Sequence, residues 1–381
     1  MTNMKYFSTT VMALVCAACS GPDNVFEAPT EEPSIEHEVV DIRSEAFLQD
    51  MVTDQRFSGV ALVMKGGKVV HAKGYGNATS ENKNTVGTVF HVASITKQFT
   101  AAAIMQLAEK SVVDLDTSVN EYLPERYRSP EWDDVSIHHL LSHTSGIPDY
   151  AVTRDYYDVV DGFCLGDTVD GMLKEAMEKD LEFEPGSQFS YSNTGYTLLG
   201  MVIENQTSIP FDEYMKTNIL DPMGMNSSRL HVIGHVPVAE EADGYRWSKE
   251  QGAHVPDDIV SLPTTAPDGG LVTTLSDFVK WTNIYLGGDP KVLTQKSLDR
   301  MLSPAPEVEW TGPSGLPMAY GYGLILSASR LSHTGGIVGF RSHFIVDREK
   351  ELLVAVFSNN TTNDPWLISD ELLEIQEAAS P

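Results

Sequence analysis

Three short stretches of this chain hold side chains that could do covalent chemistry. In Ser94-Ile95-Thr96-Lys97 a hydroxyl and an amine stand three positions apart. On a helix, such residues share a face, with Cβ atoms about 5–6 Å apart. A serine hydroxyl is a poor nucleophile until a neighbouring base takes its proton, and a buried lysine amine is one such base. Tyr191-Ser192-Asn193 adds a phenol able to relay protons between a nucleophile and a leaving group. It also adds an amide able to hold a substrate carbonyl and a lysine amine together. His333-Thr334-Gly335-Gly336 reads as a strand whose two glycines leave room for a substrate along its edge. A backbone N–H at such an edge suits an oxyanion hole.

Each spacing recurs by chance. Ser80-Glu81-Asn82-Lys83 repeats the first and Tyr75-Gly76-Asn77 the second. Context separates them. Apolar residues lead into Ser94, and a helical pattern follows it through Phe99, Ala102, Ala103, Ile104 and Leu107, apolar on most faces and so a buried central helix. Ser80 and Lys83 lie in a polar loop. Tyr191 follows Glu184-Pro185-Gly186-Ser187 and precedes a helix expected to start near Gly195, which places it on a fixed loop.

The elements that must carry these residues follow from periodicity. An amphipathic helix is expected over Val39–Met51. Next comes a hairpin of Val60–Met64 and Val69–Ala72 about Gly66-Gly67. Helical patterns dominate from about residue 110 to 310, including Ser136–Ser142, Thr168–Met177, Gly195–Glu204 and Leu275–Leu286. Strands return at Gly321–Ser327, Arg330–Thr334, His343–Asp347 and Leu352–Ser358, and an acidic helix, Trp366–Ala378, closes the chain. Strands at both ends with helices between predict an α+β fold: one antiparallel sheet built from both termini, with a largely helical region inserted. The sheet part is expected over about 39–98 and 311–381, the helical part over about 99–310.

The N-terminus reads as an export signal over residues 1–18, with Lys5 ahead of a short apolar stretch, Val11–Ala18. Cys16-Ala17-Ala18-Cys19 resembles a bacterial lipoprotein processing site, which would make Cys19 a lipidated N-terminus; plain cleavage after Ala18 is the alternative. Either puts the mature protein outside the cytoplasm. Residues 19–38, rich in Pro, Glu, Ser and Asp, read as a solvated tether. No run reaches the roughly 18 apolar residues of a membrane span. The formal net charge of −28 repels phosphate backbones and argues against nucleic-acid binding. Of the three cysteines only Cys164 survives processing as a free thiol, and nothing basic stands beside it to activate it. His139 and His143 have the i, i+4 spacing of zinc ligands, but no glutamate lies between them and Leu140 and Leu141 read as core, so these histidines and His138 are read as structural. No metal or cofactor is expected.

Ser-x-x-Lys, Tyr-x-Asn and (Lys or His)-Thr-Gly, in this order, resemble the signature of the serine β-lactamase and penicillin-binding-protein superfamily. His139–Gly146, Gly269–Thr274 leading into Asp277, and His333–Phe340 resemble further segments of it, so that nearly the whole mature domain is covered. The resemblance implies a five-stranded antiparallel sheet with flanking helices beside a helical subdomain, with the active site between. It implies Ser94 as nucleophile, Lys97 and Tyr191 as general base and acid, and Asn193, His333, Thr334 and Gly335 as substrate-binding residues. It also implies an oxyanion hole from the N–H groups of Ser94 and Gly336. His333 departs from the lysine usual in class C β-lactamases, and a histidine is mostly neutral at pH 7. A peptidase or esterase acting on a small molecule or short peptide is therefore expected ahead of an efficient β-lactamase. Arg341, a conceivable substitute cation, reads as a surface residue. The reading from another class is a non-catalytic cell-envelope binding protein of the same fold.

Overall fold

The computed structural model describes residues 35–152, 168–232, 236–257, 266–305, 309–311, 317–362 and 364–378. The expected export signal, Cys16, Cys19, most of the expected tether and Cys164 lie outside the described residues. No described helix is long and apolar enough to cross a membrane.

The chain opens with helix α1 (Ile42–Thr53) and the hairpin β1 (Gly59–Lys65) and β2 (Lys68–Tyr75). After the short strand β3 (Phe90–His91) comes the long helix α2 (Lys97–Glu109). The inserted region holds α3 (Ile137–Leu141), α4 (Val169–Glu178), α5 (Asn193–Thr207), α6 (Phe211–Met215), β4 (Arg229–Leu230), β5 (Tyr245–Ser248), β6 (Ala253–Pro256), α7 (Ala266–Gly269), β7 (Leu271–Thr273), α8 (Leu275–Thr282) and α9 (Gln295–Met301). The chain returns through β8 (Glu309–Thr311), β9 (Pro317–Tyr320), β10 (Ile325–Ser327), β11 (Arg330–Ile337), β12 (Phe340–Asp347) and β13 (Leu352–Ser358), and ends in α10 (Pro365–Glu377).

The antiparallel sheet built from both ends of the chain is present, in the order β2-β1-β13-β12-β11-β10-β9-β8. It is eight-stranded rather than five-stranded. The expected five are β2, β1, β13, β12 and β11, and three short strands continue beyond β11. The reason is local. Only Ile325–Ser327 of the stretch Gly321–Ser327 is strand: the chain turns at Gly323, φ +74°, between β9, which ends at Tyr320, and β10. A Cβ at Gly323 would lie 2.5 Å from the backbone N of Gln98, so α2 packs directly on that bend. The strand β8 begins inside the region expected to be helical, which also carries a small sheet, β3-β7-β4, and the hairpin β5–β6.

β1 and β13 pair in full register, Gly59 with Ser358 through Lys65 with Leu352. Both are buried on both faces, which is why they read as continuous apolar runs instead of alternating ones. One face, through Ala61, Val63, Val354 and Val356, packs on Leu48 of α1 and Ile368 and Leu372 of α10. The other, through Val60, Leu62, Ala355 and Phe357, joins the core of the inserted region with Phe90, Phe99 and Phe278. Between sheet and insertion lies α2, buried continuously from Lys97 to Leu107.

Phe357 ties the two parts together, its ring 6.3 Å from that of Phe90 and 5.3 Å from that of Phe278. Phe357→Ala should cost about 3–5 kcal/mol of stability, read as a lower urea midpoint with an unchanged slope. A loss below about 1 kcal/mol would mean that the two parts are held together elsewhere.

Candidate active site

Ser94 does not open the long helix. It sits in a 3₁₀ turn, Ala93–Thr96, and Lys97 is the first residue of α2. This turn improves the expected juxtaposition, because at three residues per turn positions i and i+3 eclipse. Lys97 Nζ stands 3.2 Å from Ser94 Oγ. The turn is entered through Ala93 at φ +47°, a left-handed conformation unfavourable for a residue with a Cβ. It is held there from both sides: Val92 N donates to Leu271 O (3.1 Å), Ser342 Oγ donates to Val92 O (2.8 Å), and Thr96 Oγ1 donates to Ala93 O (2.6 Å).

Lys97 is fully buried, and its amine has further acceptors at Asn193 Oδ1 (2.8 Å) and the carbonyl of Asp268 (2.9 Å). The Asp268 carboxylate lies 3.8 Å away. Burial pushes the Asp268 carboxyl up to about 6, against the pull of the nearby amine. Its Oδ2 accepts from Tyr150 Oη (2.7 Å). Asn193, first residue of α5, gives its Oδ1 to Lys97 and donates through Nδ2 to Asp149 Oδ2 (3.1 Å). Asp149 Oδ1 in turn accepts the backbone N–H of Asn193 (3.0 Å), which fixes the start of α5. Burial raises the Asp149 carboxyl above its usual range. Tyr191 is half-buried, its ring centroid 4.9 Å from Lys97 Nζ.

The third motif lies on β11. Its partner β10 pairs only with Arg330–Ser332, so the edge from His333 onward carries no strand pairing to β10. Ser327 and Arg330 close the two-residue hairpin, and the period of two then turns the N–H groups of Thr334 and Gly336 to that same open edge. Gly335 faces the other way and is needed for packing: a Cβ there would lie 2.2 Å from both Val92 O and Ser342 Oγ. Gly335 therefore serves to bring the strand against the Ser94 turn. Gly336 is exposed and free of that constraint, a Cβ meeting only Arg341 side-chain atoms at 3.4 Å or more.

His333 is buried with both ring nitrogens engaged. Nδ1 lies 2.6 Å from Thr334 O, so it carries the proton, and Nε2 accepts from Tyr320 Oη at 2.9 Å. Burial drives its pKa down to about 3 and the nearby Lys97 adds to this. Arg341 stands opposite Gly336 in the ladder, on the strand face away from Val92. Its guanidinium donates to Ile337 O (2.9 Å) and Phe340 O (2.8 Å).

The two duplicate motifs lie apart from this cluster. Lys83 donates to Asn77 Oδ1 (2.6 Å), Ser80 is exposed, and Tyr75 Oη donates to Glu45 (2.7 Å). His138 bonds Tyr322 Oη (2.8 Å), His139 Nδ1 accepts from Ser136 N (3.1 Å), and His143 Nδ1 accepts from Ser192 N (3.1 Å). Among the described residues His91, His231 and Glu241 form a group of metal-ligating types. There Glu241 is shared between His91 (3.0 Å) and the Arg229 guanidinium, an arrangement that satisfies the carboxylate by hydrogen bonds. Asp149, Tyr150, Asp268 and Tyr320 are the site residues that sequence reasoning passed over. Pro148-Asp149 and Pro267-Asp268-Gly269-Gly270 carry the composition of turns. Of the loops Tyr150–Cys164 and Asp243–Pro267, residues 153–164 and 258–265 lie outside the described residues.

A buried amine on a serine hydroxyl, beside an open strand edge in an α+β fold, defines a class: serine hydrolases of the β-lactamase fold. The chain belongs to the beta-lactamase family, whose model matches residues 45–377. It is similar to penicillin-binding protein 4* of Bacillus subtilis (strain 168), with 29% identity over 322 residues, 78% of this chain and 67% of that protein. It is also similar to the D-aminopeptidase of Gluconobacter oxydans (strain 621H), with 29% identity over 316 residues, 79% of this chain but only 55% of that protein. Among solved structures, the octameric penicillin-binding protein homologue from Pyrococcus abyssi superposes with a TM-score of 0.77 at 31% identity, covering 89% of this chain and 78% of the other. The D-amino acid amidase of Ochrobactrum anthropi SV3, complexed with L-phenylalanine amide, does so with a TM-score of 0.74 at 25% identity, covering 88% and 98%.

His333 makes a pH test. Its folded pKa of about 3 lies below the usual 6.5, so its contribution to stability is present above pH 6.5 and is lost as pH falls toward 3. His333→Gln keeps an acceptor for Tyr320 but cannot titrate. Between pH 7.5 and 4.5 the variant should lose about 2–3 kcal/mol less stability than the wild type, by urea unfolding. Equal losses would mean that His333 is free to protonate in the folded protein.

Proposed function

We propose that this protein is an exported serine hydrolase that forms an acyl-enzyme on Ser94, acting on small amides or esters that lack a carboxylate beside the scissile bond. The observation that carries the reading is the 3.2 Å contact of Lys97 Nζ with Ser94 Oγ, made by an amine that Asn193 and the Asp268 carbonyl hold in place. In acylation, Ser94 Oγ attacks the substrate carbonyl and its proton enters the Lys97–Tyr191 pair. The N–H groups of Ser94 and Gly336 take the oxyanion. The same pair returns the proton to the departing amine or alcohol. Water then attacks the acyl-enzyme, releasing the acid and restoring the Ser94 hydroxyl. Asn193 and the open edge at Thr334 hold the substrate. Gly335 sets the strand's distance from the nucleophile, and His333 contributes a neutral wall.

That neutrality supports the choice of substrate. A permanent cation at this place would pair with a carboxylate, whereas His333 is tied to Tyr320 and its own backbone. Arg341 lies on the strand's other face. Two similar proteins bear the names D-aminopeptidase and D-amino acid amidase. Export, with Cys19 as an anchor, would put the enzyme among cell-envelope peptides.

The test is a substrate panel: D-phenylalanine amide, a D-alanine anilide, p-nitrophenyl acetate and butyrate, nitrocefin and a D-Ala-D-Ala peptide, each with wild type and Ser94→Ala. The amides or esters should turn over at least about 10²-fold faster than the two carboxylate-bearing substrates. Ser94→Ala should abolish both turnover and the mass adduct from a fluorophosphonate. Preferred hydrolysis of nitrocefin would reverse the substrate assignment, and activity surviving in Ser94→Ala would remove the nucleophile.

A further inference from the structure

Tyr191 needs a fixed orientation over Lys97, and the backbone on either side of it is held by a single residue. His143 O accepts the N–H of Ser190 (2.9 Å), and His143 Nδ1 accepts the N–H of Ser192 (3.1 Å). Between these two bonds the imidazole lies against the Tyr191 ring, centroid to centroid 4.3 Å. Its other ring neighbours are Tyr320 (4.7 Å), Tyr196 (5.2 Å) and Phe189 (5.9 Å). The residue is fully buried and takes φ +60°, so its backbone is committed to an unfavourable conformation to make these contacts.

The hydrogen bond from Ser192 decides the protonation state. A nitrogen that accepts a backbone N–H bears no proton, so the ring is the neutral Nε2–H form. That Nε2 has no hydrogen-bond partner among the described residues. Burial, with the nearby Lys97 and His333 adding to it, holds the imidazole neutral far into the acid range. A buried donor left without an acceptor costs stability, and the aromatic enclosure that prevents its solvation also fixes the ring against Tyr191.

We propose that His143 is a positioning residue for Tyr191. It acts as a neutral imidazole that clamps the peptide groups on both sides of the tyrosine and backs its ring, so that the phenol is presented to the Ser94–Lys97 pair in one orientation. The inference rests on the assignment of Tyr191 to proton transfer in the proposed hydrolase, while the clamp itself is a statement about geometry. The two are tested by separate readouts.

The variants His143→Asn and His143→Ala divide the question. Asparagine keeps an acceptor on the atom that replaces Nδ1 and tolerates a left-handed backbone; alanine keeps neither. In protein labelled with [¹³Cζ]tyrosine, with the Tyr191 signal assigned through Tyr191→Phe, His143→Ala should shift or broaden that signal. His143→Asn should return it toward its wild-type position. On the best substrate of the panel, His143→Ala should lower kcat about 10²-fold with KM within a factor of two, and His143→Asn should recover at least tenfold of the loss. A Tyr191 signal unmoved in His143→Ala overturns the clamp whether or not the protein turns over any substrate. A signal moved in His143→Ala, with a wild-type protein that takes no label on Ser94, keeps the clamp and overturns the hydrolase. A loss in His143→Ala confined to thermal stability, or an asparagine variant no better than alanine in both readouts, leaves His143 a core residue and ends the proposal.

Discussion

The structure around the cleft is organised by one buried amine. A lysine ammonium carries three donors, and inside a protein each must find an acceptor or cost free energy. Lys97 meets Ser94 Oγ, Asn193 Oδ1 and the Asp268 carbonyl, each from a different stretch of chain. The start of α5 and the Asp268 turn are therefore obliged to converge on the first residue of α2. Asp149 and Tyr150 extend the obligation outward, one holding Asn193 and the other the Asp268 carboxylate. A change at any of these positions would leave a buried donor or acceptor unpaired, so the arrangement is rigid without being repeated anywhere as a regular element.

A second constraint brings the sheet to Ser94. Val92 O is shared between the Ser94 turn and β12, through Ser342 Oγ, while Gly335 allows β11 to lie against it. Left-handed Ala93 is the local cost of this approach. The exposed edge of β11 thus stands at a fixed distance from Ser94, as polarising an acyl group between two backbone N–H groups requires. In the proposed reaction α2 and the insertion supply the proton-transfer groups, Lys97 and Tyr191, the sheet supplies the edge, and the aromatic seam through Phe90, Phe278 and Phe357 keeps the two parts from sliding.

What the sequence made legible follows the range of each interaction. Ser94 and Lys97 could be read because their contact is local, and the 3₁₀ turn only sharpened a spacing already visible. The doubly buried strands β1 and β13 could be read as apolar runs, and α2 as a helix apolar on most faces. The sheet was undercounted because β8, β9 and β10 are short and the chain turns between β9 and β10 at Gly323, a bend fixed by packing on Gln98 and without trace in periodicity. Asp149 and Asp268 were missed because a turn aspartate and a buried aspartate ligating an amine network have the same local sequence. Gly335 was legible as a glycine that mattered, but for the wrong neighbour: the space it leaves is taken up by Val92 and Ser342. The neutrality of His333 could be anticipated from its ordinary pKa, whereas the depth of its suppression comes from burial, which only the folded chain supplies, with Tyr320 reaching it from the end of β9 beyond β10.

Charge at two ranges bears on what the cleft admits. The formal net charge of −28 sets an average potential that disfavours anions approaching the molecule. Salt screens that field beyond about 8–10 Å, so discrimination at the reacting bond must come from groups in contact with the substrate. There two imidazoles, His143 and His333, flank Tyr191 and both are held neutral by burial. Their neutrality leaves the Lys97 amine as the electrostatic centre of the described cleft, and that amine is already committed to Ser94, Asn193 and Asp268. In the proposed reaction an amide or ester would bring only a carbonyl, for which the β11 edge has N–H groups to offer, while Arg341 stands on the strand's other face and bonds two backbone carbonyls. Long-range and short-range electrostatics thus support the same proposed substrates, and the short-range part is fixed by hydrogen bonds that involve no ligand.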